Sequence, residues 1–208
     1  MPTPNPDVLQ LRAEIAANAA RMVAQDGADY ATARRKAARQ VLGVDQPAPN
    51  LMPDNTQIED EVRKYLALFG VAGQPERLGL LRDTALQVMD VLADFHPYLT
   101  GAVLNGTAGE HDDIHLQLFA DSAKEVQIYL LNRNVNIEIS ETPHFRGGRH
   151  EPVETVSFMW HKETIHAELY DYHDLRGALK PRADGRPQRI DANGLRALMA
   201  NETLEQDE

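Results

Sequence analysis

Gly101-Ala-Val-Leu-Asn-Gly106-Thr-Ala-Gly-Glu-His-Asp-Asp113-Ile-His115-Leu-Gln-Leu-Phe-Ala120 passes from glycine-punctuated sequence into regular alternation. Ile114, Leu116 and Leu118 alternate with Asp113, His115 and Gln117, so the second part predicts a strand with one apolar face and one chemically equipped face. Gly101 and Gly106 let the backbone approach an anion closely, and the amides of such a turn form a nest whatever the side chains are.

Upstream, Leu81, Ala85, Val88, Leu92 and Phe95 step by four and three, which predicts a helix from Pro75 to Phe95 feeding a first strand, Tyr98 to Leu104. Downstream, Ser122-Ala-Lys-Glu125 has the form of a capping box and opens a helix ending near Asn132. Strands are expected at Val135–Ser140, Val153–Trp160 and Thr164–Tyr170, the last two joined as a hairpin at His161-Lys162-Glu163. A helix from Asp191 to Ala200 and an acidic tail follow. This order predicts an α+β domain with a mixed sheet covered mainly on one side.

The N-terminal part is helical. Val8, Leu11, Ile15, Ala19 and Met22 define a helix from Pro6 to Gln25, and a second runs from an Asp29 or Thr32 cap to Val41, stopped by Gly43. The proline-rich stretch Val44 to Pro53 reads as a linker, and Thr56-Gln-Ile-Glu59 as the capping box of a third helix carrying Ile58, Val62, Tyr65, Leu66 and Phe69. The domains expected are residues 1–70, a helical module, and residues 71–208, the α+β domain.

The glycine turn, the alternating strand and the helix ahead of them resemble the nucleotidyltransferase superfamily of the polymerase-β-like fold, over about Pro75 to Tyr172. In that family a Gly-Ser pair follows a strand, a second Gly comes five residues after the first, and an Asp-x-Asp pair on the next strand holds magnesium. Gly101, Gly106 and Asp113 fall in register; Ala102 stands where the Ser belongs and His115 where the second Asp belongs. The resemblance implies Gly101, Ala102, Gly106 and Thr107 on a triphosphate, Asp113, His115 and Glu168 at the catalytic and metal positions, and Mg or Mn with NTP as cofactors. Glu168 is the best match to the family's third carboxylate, with Asp171 in reserve. It further implies transfer of a nucleoside monophosphate from NTP to an unknown acceptor. The alternative is an inactive nucleotide-binding or protein-interaction module of the same fold.

Imidazole suits transition metals better than magnesium, so His115 weakens a magnesium site, while His111, Asp113 and His115 on one face would make a 2-His-1-carboxylate set. All eight histidines lie between His96 and His173. His144, Arg146, Arg149 and His150 form a cationic loop that can close over phosphate or simply cross the surface.

A net charge of -11 disfavours broad nucleic-acid binding, leaving the cluster Arg34, Arg35, Lys36 and Arg39 as the one place for an RNA or acidic protein partner; its plainer reading is a solvated helix face. The absence of cysteine excludes thiolate nucleophiles and disulfides. With no long apolar run and no signal-like N-terminus, the expected location is cytoplasmic, with no membrane partner. P-loop, Gly-x-Ser-x-Gly, His-Glu-x-x-His and Gly-x-Gly-x-x-Gly signatures are absent.

Overall fold

The computed structural model describes residues 6–69, 73–176, 182 and 185–206. The chain is divided into two compact units, residues 1–74 with 106–111, and residues 75–105 with 112–208. Among the described residues no helix is long and apolar enough to cross a membrane.

The first unit is built on α1 (Pro6–Asp26), α2 (Tyr30–Leu42) and α3 (Asn55–Phe69). Its core is unusually fine-grained: Ile15, Ile58 and Val62 are packed among Ala16, Ala19, Ala20, Ala33, Ala37 and Ala38. Alanine on both sides of a contact lets helix backbones approach closely and loses no side-chain entropy on burial. The expected cap at Asp29 forms, its carboxylate accepting from the Thr32 amide, and Gly43 closes α2 in the left-handed conformation. The third cap is displaced from its expected place. Asp54 and Gln57 exchange reciprocal bonds, each backbone amide donating to the other's side chain at 2.9 and 3.1 Å, and Glu59 is buried instead.

In the second unit, α4 (Gln74–Val91, with its first residue grouped in the helical unit) supplies the buried stripe Leu81, Ala85, Val88 and Met89. It leads through a 3-10 turn into β1 (Tyr98–Thr100), then α5 (Gly101–Asn105), β2 (Ile114–Ala120), α6 (Ala123–Leu131), β3 (Ile137–Thr142), β4 (Val153–Trp160), β5 (Glu163–Asp171), α7 (Tyr172–Leu175) and α8 (Ala192–Gln206). The expected first strand is therefore too long. Gly101 takes φ +71, ends the extended backbone after Thr100, and the next residues coil into α5 rather than a turn joining two strands. The C-terminal helix also runs further than expected, absorbing the start of the acidic tail.

The five strands form one mixed sheet in the order β1-β2-β5-β4-β3. β1 is antiparallel to β2, β2 is parallel to β5, and β5-β4-β3 continue antiparallel. The hairpin between β4 and β5 turns on His161 and Lys162, both at positive φ. Leu99, Ile114, Leu116, Leu118, Val156, Phe158, Ile165, Ala167 and Leu169 fill one face and are buried. α6 lies against that sheet, and Tyr129 on α6 donates its hydroxyl proton to the Val91 carbonyl of α4 at 2.6 Å.

Two charged groups tie the layers together. Arg77 at the start of α4 makes a bidentate pair with Glu163 at the start of β5, at 2.5 and 2.6 Å, and this pairing holds the Glu163 carboxyl below its ordinary value of 4.5. Arg82 is buried and donates to the carbonyls of Val103 and Leu104 at 3.0 and 3.3 Å, with Glu202 as its ionic partner. It thereby satisfies the free carbonyl end of α5, the element that begins at Gly101.

Candidate functional site

Register decides what the other face of the sheet carries. Pairing His115 with His166, Gln117 with Glu168 and Phe119 with Tyr170 across β2 and β5 puts all six side chains on one face. Ser157 and Thr155 join them from β4, opposite His166 and Glu168, and Tyr98 and Thr100 from β1, opposite Gln117 and His115. The face is open at His115 and partly open at His166, Ser157 and Glu168, whereas Gln117, Phe119, Tyr170 and Thr155 are buried.

Two hydrogen-bonded groups organise it. In the first, the Asp113 carboxylate lies 3.1 Å from His166 Nε2, and Ser157 Oγ lies 2.8 Å from His166 Nδ1. An ionised carboxylate only accepts, so Nε2 donates to Asp113, and in the neutral imidazole Nδ1 is then left to accept from the Ser157 hydroxyl. His115 stacks on the same ring, with centroids 5.0 Å apart. Part of the His115 surface meets solvent, yet the protein packed around it, and then the adjacent His166, hold its pKa below 6.5 against the pull of Glu168, Asp113 and Asp112. Asp113 and His166 remain accessible, with 41% and 27% of their side-chain surface open.

The second group runs from Tyr170, which donates to Glu168 at 2.6 Å, through the longer contact of Gln117 with Glu168 at 3.5 Å, to Arg189 against Gln117, also at 3.5 Å. Burial, with Glu168 as acceptor, raises the Tyr170 phenol far above its ordinary value. The Arg189 guanidinium is held over the rings of Tyr98 and Phe119, at 4.9 and 4.7 Å, and burial lowers its pKa.

The expected site residues divide between the units. Asp113, His115 and Glu168 do share the face, and Gly101 backs directly onto His115, where an added Cβ would lie 3.7 Å from the His115 Cβ and 3.8 Å from its ring Cδ2. Ala102 is the second residue of α5. Gly106 and Thr107 belong to the helical unit, where Thr107 is buried with its hydroxyl 3.4 Å from that of Tyr30. His111 also falls in that unit, so the set His111, Asp113 and His115 does not arise on one strand face. Asp171 caps α7, accepting from the His173 amide at 2.8 Å.

The carboxylates of the expected metal set have partners within the protein. Asp113 is engaged by His166, Glu168 by Tyr170, and among the described residues no group of three or more His, Asp or Glu side chains is placed to hold a metal ion. The cationic loop is likewise anchored. His144 is buried against Tyr170, and Arg146 pairs with Asp174 at 2.8 Å, leaving Arg149 and His150 at its surface. On α2, Arg35 reaches Thr32 and Arg39 pairs with the exposed Asp45, so the basic cluster meets local partners.

His166 and Ser157 are the members that sequence reasoning passed over. Both were visible as polar residues alternating with apolar ones on their strands, but the pairing of β4 with β5 and of β5 with β2 is what brings them to Asp113. A scan against models of protein families finds no match for this chain, and neither does a search of curated proteins.

Proposed function

We propose that the second unit is a divergent nucleotidyltransferase-like domain acting as a nucleotide-binding module on the polar face of its sheet. The observation that supports this reading is the parallel register of β2 with β5, which gathers Asp113, His115, His166 and Glu168 on one face beside Gly101. His115 stands where the superfamily resemblance calls for a second Asp, and Asp113 and Glu168 at the other two carboxylate positions are hydrogen-bonded to His166 and Tyr170. For a phosphate held at the start of α5, Ala102 in place of Ser would remove one hydroxyl donor, a loss of about 0.5–1.5 kcal/mol. Arg189 offers a cation, and Tyr98 an aromatic ring, at the same face. An acidic protein or RNA partner would meet the α2 residues Arg35, Lys36 and Arg39, all exposed.

A second reading keeps turnover. Asp113 and Glu168 both remain on this face, and His115, held neutral at pH 7, is suited to take a proton from an acceptor hydroxyl. Calorimetric titration with each NTP, with and without magnesium or manganese, separates the two. Binding that needs no divalent ion and survives Asp113→Ala is expected for the module; metal-dependent binding abolished by Asp113→Ala would favour the transferase. No heat with any nucleotide under either condition refutes both.

A further inference from the structure

We propose that Ser157, His166 and Asp113 form a nucleophilic chain, and that Ser157 is an acylatable serine acting on neutral carboxylic esters. Three strands build it: Ser157 in the middle of β4, His166 directly opposite on β5, and Asp113 one residue ahead of β2, which is parallel to β5. The bonds run in one direction. The His166 Nε2 proton goes to Asp113 over 3.1 Å, which fixes the tautomer, and the Nδ1 lone pair faces the Ser157 hydroxyl over 2.8 Å. The imidazole nitrogens are used in the opposite sense from the usual serine-hydrolase arrangement, but the chemistry asks only that one nitrogen accept while the other is held by a carboxylate.

The chain is open to a ligand, since Ser157 is half-buried and Asp113 and His166 keep 41% and 27% of their side-chain surface accessible. Substrate class follows from the surroundings. Acyl transfer develops one negative charge on a single oxygen, which one donor group can meet, and His115 stacked at 5.0 Å on His166 brings an imidazole N-H to the same face. Phosphoryl transfer spreads charge over several oxygens and calls for cations. Arg189, the cation described on this face, lies toward its Phe119 end, against Gln117 and the Leu175 carbonyl, and not beside Ser157.

In the reaction Ser157 Oγ bonds to the acyl carbon while its proton passes to His166 Nδ1. The alcohol then leaves with that proton. Water attacks the acyl carbon in turn, gives one proton to Nδ1, and Ser157 Oγ departs taking it back. The sum is ester plus water to carboxylic acid plus alcohol, with no other reactant.

The test uses the full chain with a fluorophosphonate probe, read by peptide mass mapping, and with p-nitrophenyl acetate, read by release of nitrophenol. Expected are a single adduct on Ser157, its loss in Ser157→Ala, and labelling slowed roughly a hundredfold in His166→Gln. Asp113→Asn offers an amide donor to Nε2 and so turns the Nδ1 proton toward Ser157; it is expected to slow labelling and to switch the His166 tautomer in nitrogen NMR shifts. The unaltered chain alone decides the matter if a variant fails to fold: no adduct, or an adduct only elsewhere, overturns the proposal. A rate indifferent to folded His166→Gln overturns it too. Nucleotide binding is measured separately, so neither result stands in for the other.

Discussion

Replacing Arg82 by methionine keeps much of the side chain's length and apolar volume while removing the guanidinium, which isolates the polar contribution of a buried arginine. Arg82 donates to the Val103 and Leu104 carbonyls at 3.0 and 3.3 Å and pairs with Glu202. Hydrogen bonds from charged groups contribute about 1.5–3 kcal/mol each, and the longer of these two belongs at the low end. Removing both leaves the terminal carbonyls of α5 without these donors, so the expected loss is about 3–5 kcal/mol, a large part of a typical folding stability of about 5–15 kcal/mol. The ionic partner matters less. Glu202 keeps 43% of its side-chain surface exposed, so Glu202→Gln is expected to cost no more than about 1 kcal/mol. Urea unfolding followed by circular dichroism measures both variants. If Arg82→Met shifts stability by less than about 1 kcal/mol, or by no more than Glu202→Gln, Arg82 does not hold the carbonyl end of α5 and the reasoning fails.

Three further outcomes are expected. Glu163→Gln destabilises by about 1–3 kcal/mol at neutral pH, because the pair with Arg77 is bidentate and mostly shielded from water. The Glu163 pKa is lowered on folding, so this stabilisation is full above 4.5 and is lost as pH falls through the lowered value; melting curves of the two proteins should therefore converge in acid. His115 behaves as a base whose folded pKa is lowered, so its unfolded form takes up protons first and stability falls as pH drops through 6.5. His115→Gln should show a shallower fall in melting temperature between neutral pH and that window; an unchanged slope would contradict the origin given for the shift. Gly194→Ala would set a Cβ 2.4 Å from Ile190 Cγ1 and should destabilise by about 1–3 kcal/mol, measured by the same unfolding assay.

Local structure was largely legible in the chain because local rules write it. β4 begins at Val153 and ends at Trp160 as the alternation says, and Asp29, Gly43 and Ser122 sit at helix ends for the capping chemistry that their side chains or lack of one provide. Errors gathered where two local signals competed. Thr56-x-x-Glu59 and Asp54-x-x-Gln57 overlap, both have the spacing of a reciprocal cap, and the fold uses the earlier while burying Glu59. Tyr98 to Leu104 is apolar enough for one strand, but the left-handed Gly101 divides it into β1 and α5. The site was legible only by halves. Alternation shows that Asp113, His115, His166 and Glu168 point away from the apolar face of their strands, whereas which strands are neighbours is a long-range fact that no short window contains. Asp113 and His166 are 53 positions apart and meet through strand pairing alone.

That long-range pairing also explains what chemistry the histidines give this face. With carboxylates at the positions of His115 and His166, like charges on adjacent strands would destabilise the sheet unless a cation lay between them. Two imidazoles stacked at 5.0 Å, with His115 held neutral at pH 7, do not create that demand. Asp113 then finds its partner inside the protein, in the Nε2 proton of His166, and that bond in turn aims Nδ1 at Ser157. The pairing that stacks the two imidazoles is thus the same one that assembles a hydrogen-bonded serine. A double variant converting both histidines to aspartate should change both properties at once, making stability depend on divalent ions and abolishing reaction at Ser157. Thermal melts with and without magnesium and probe labelling of the one sample give the two readings, and a change in one without the other would separate the properties that this geometry joins.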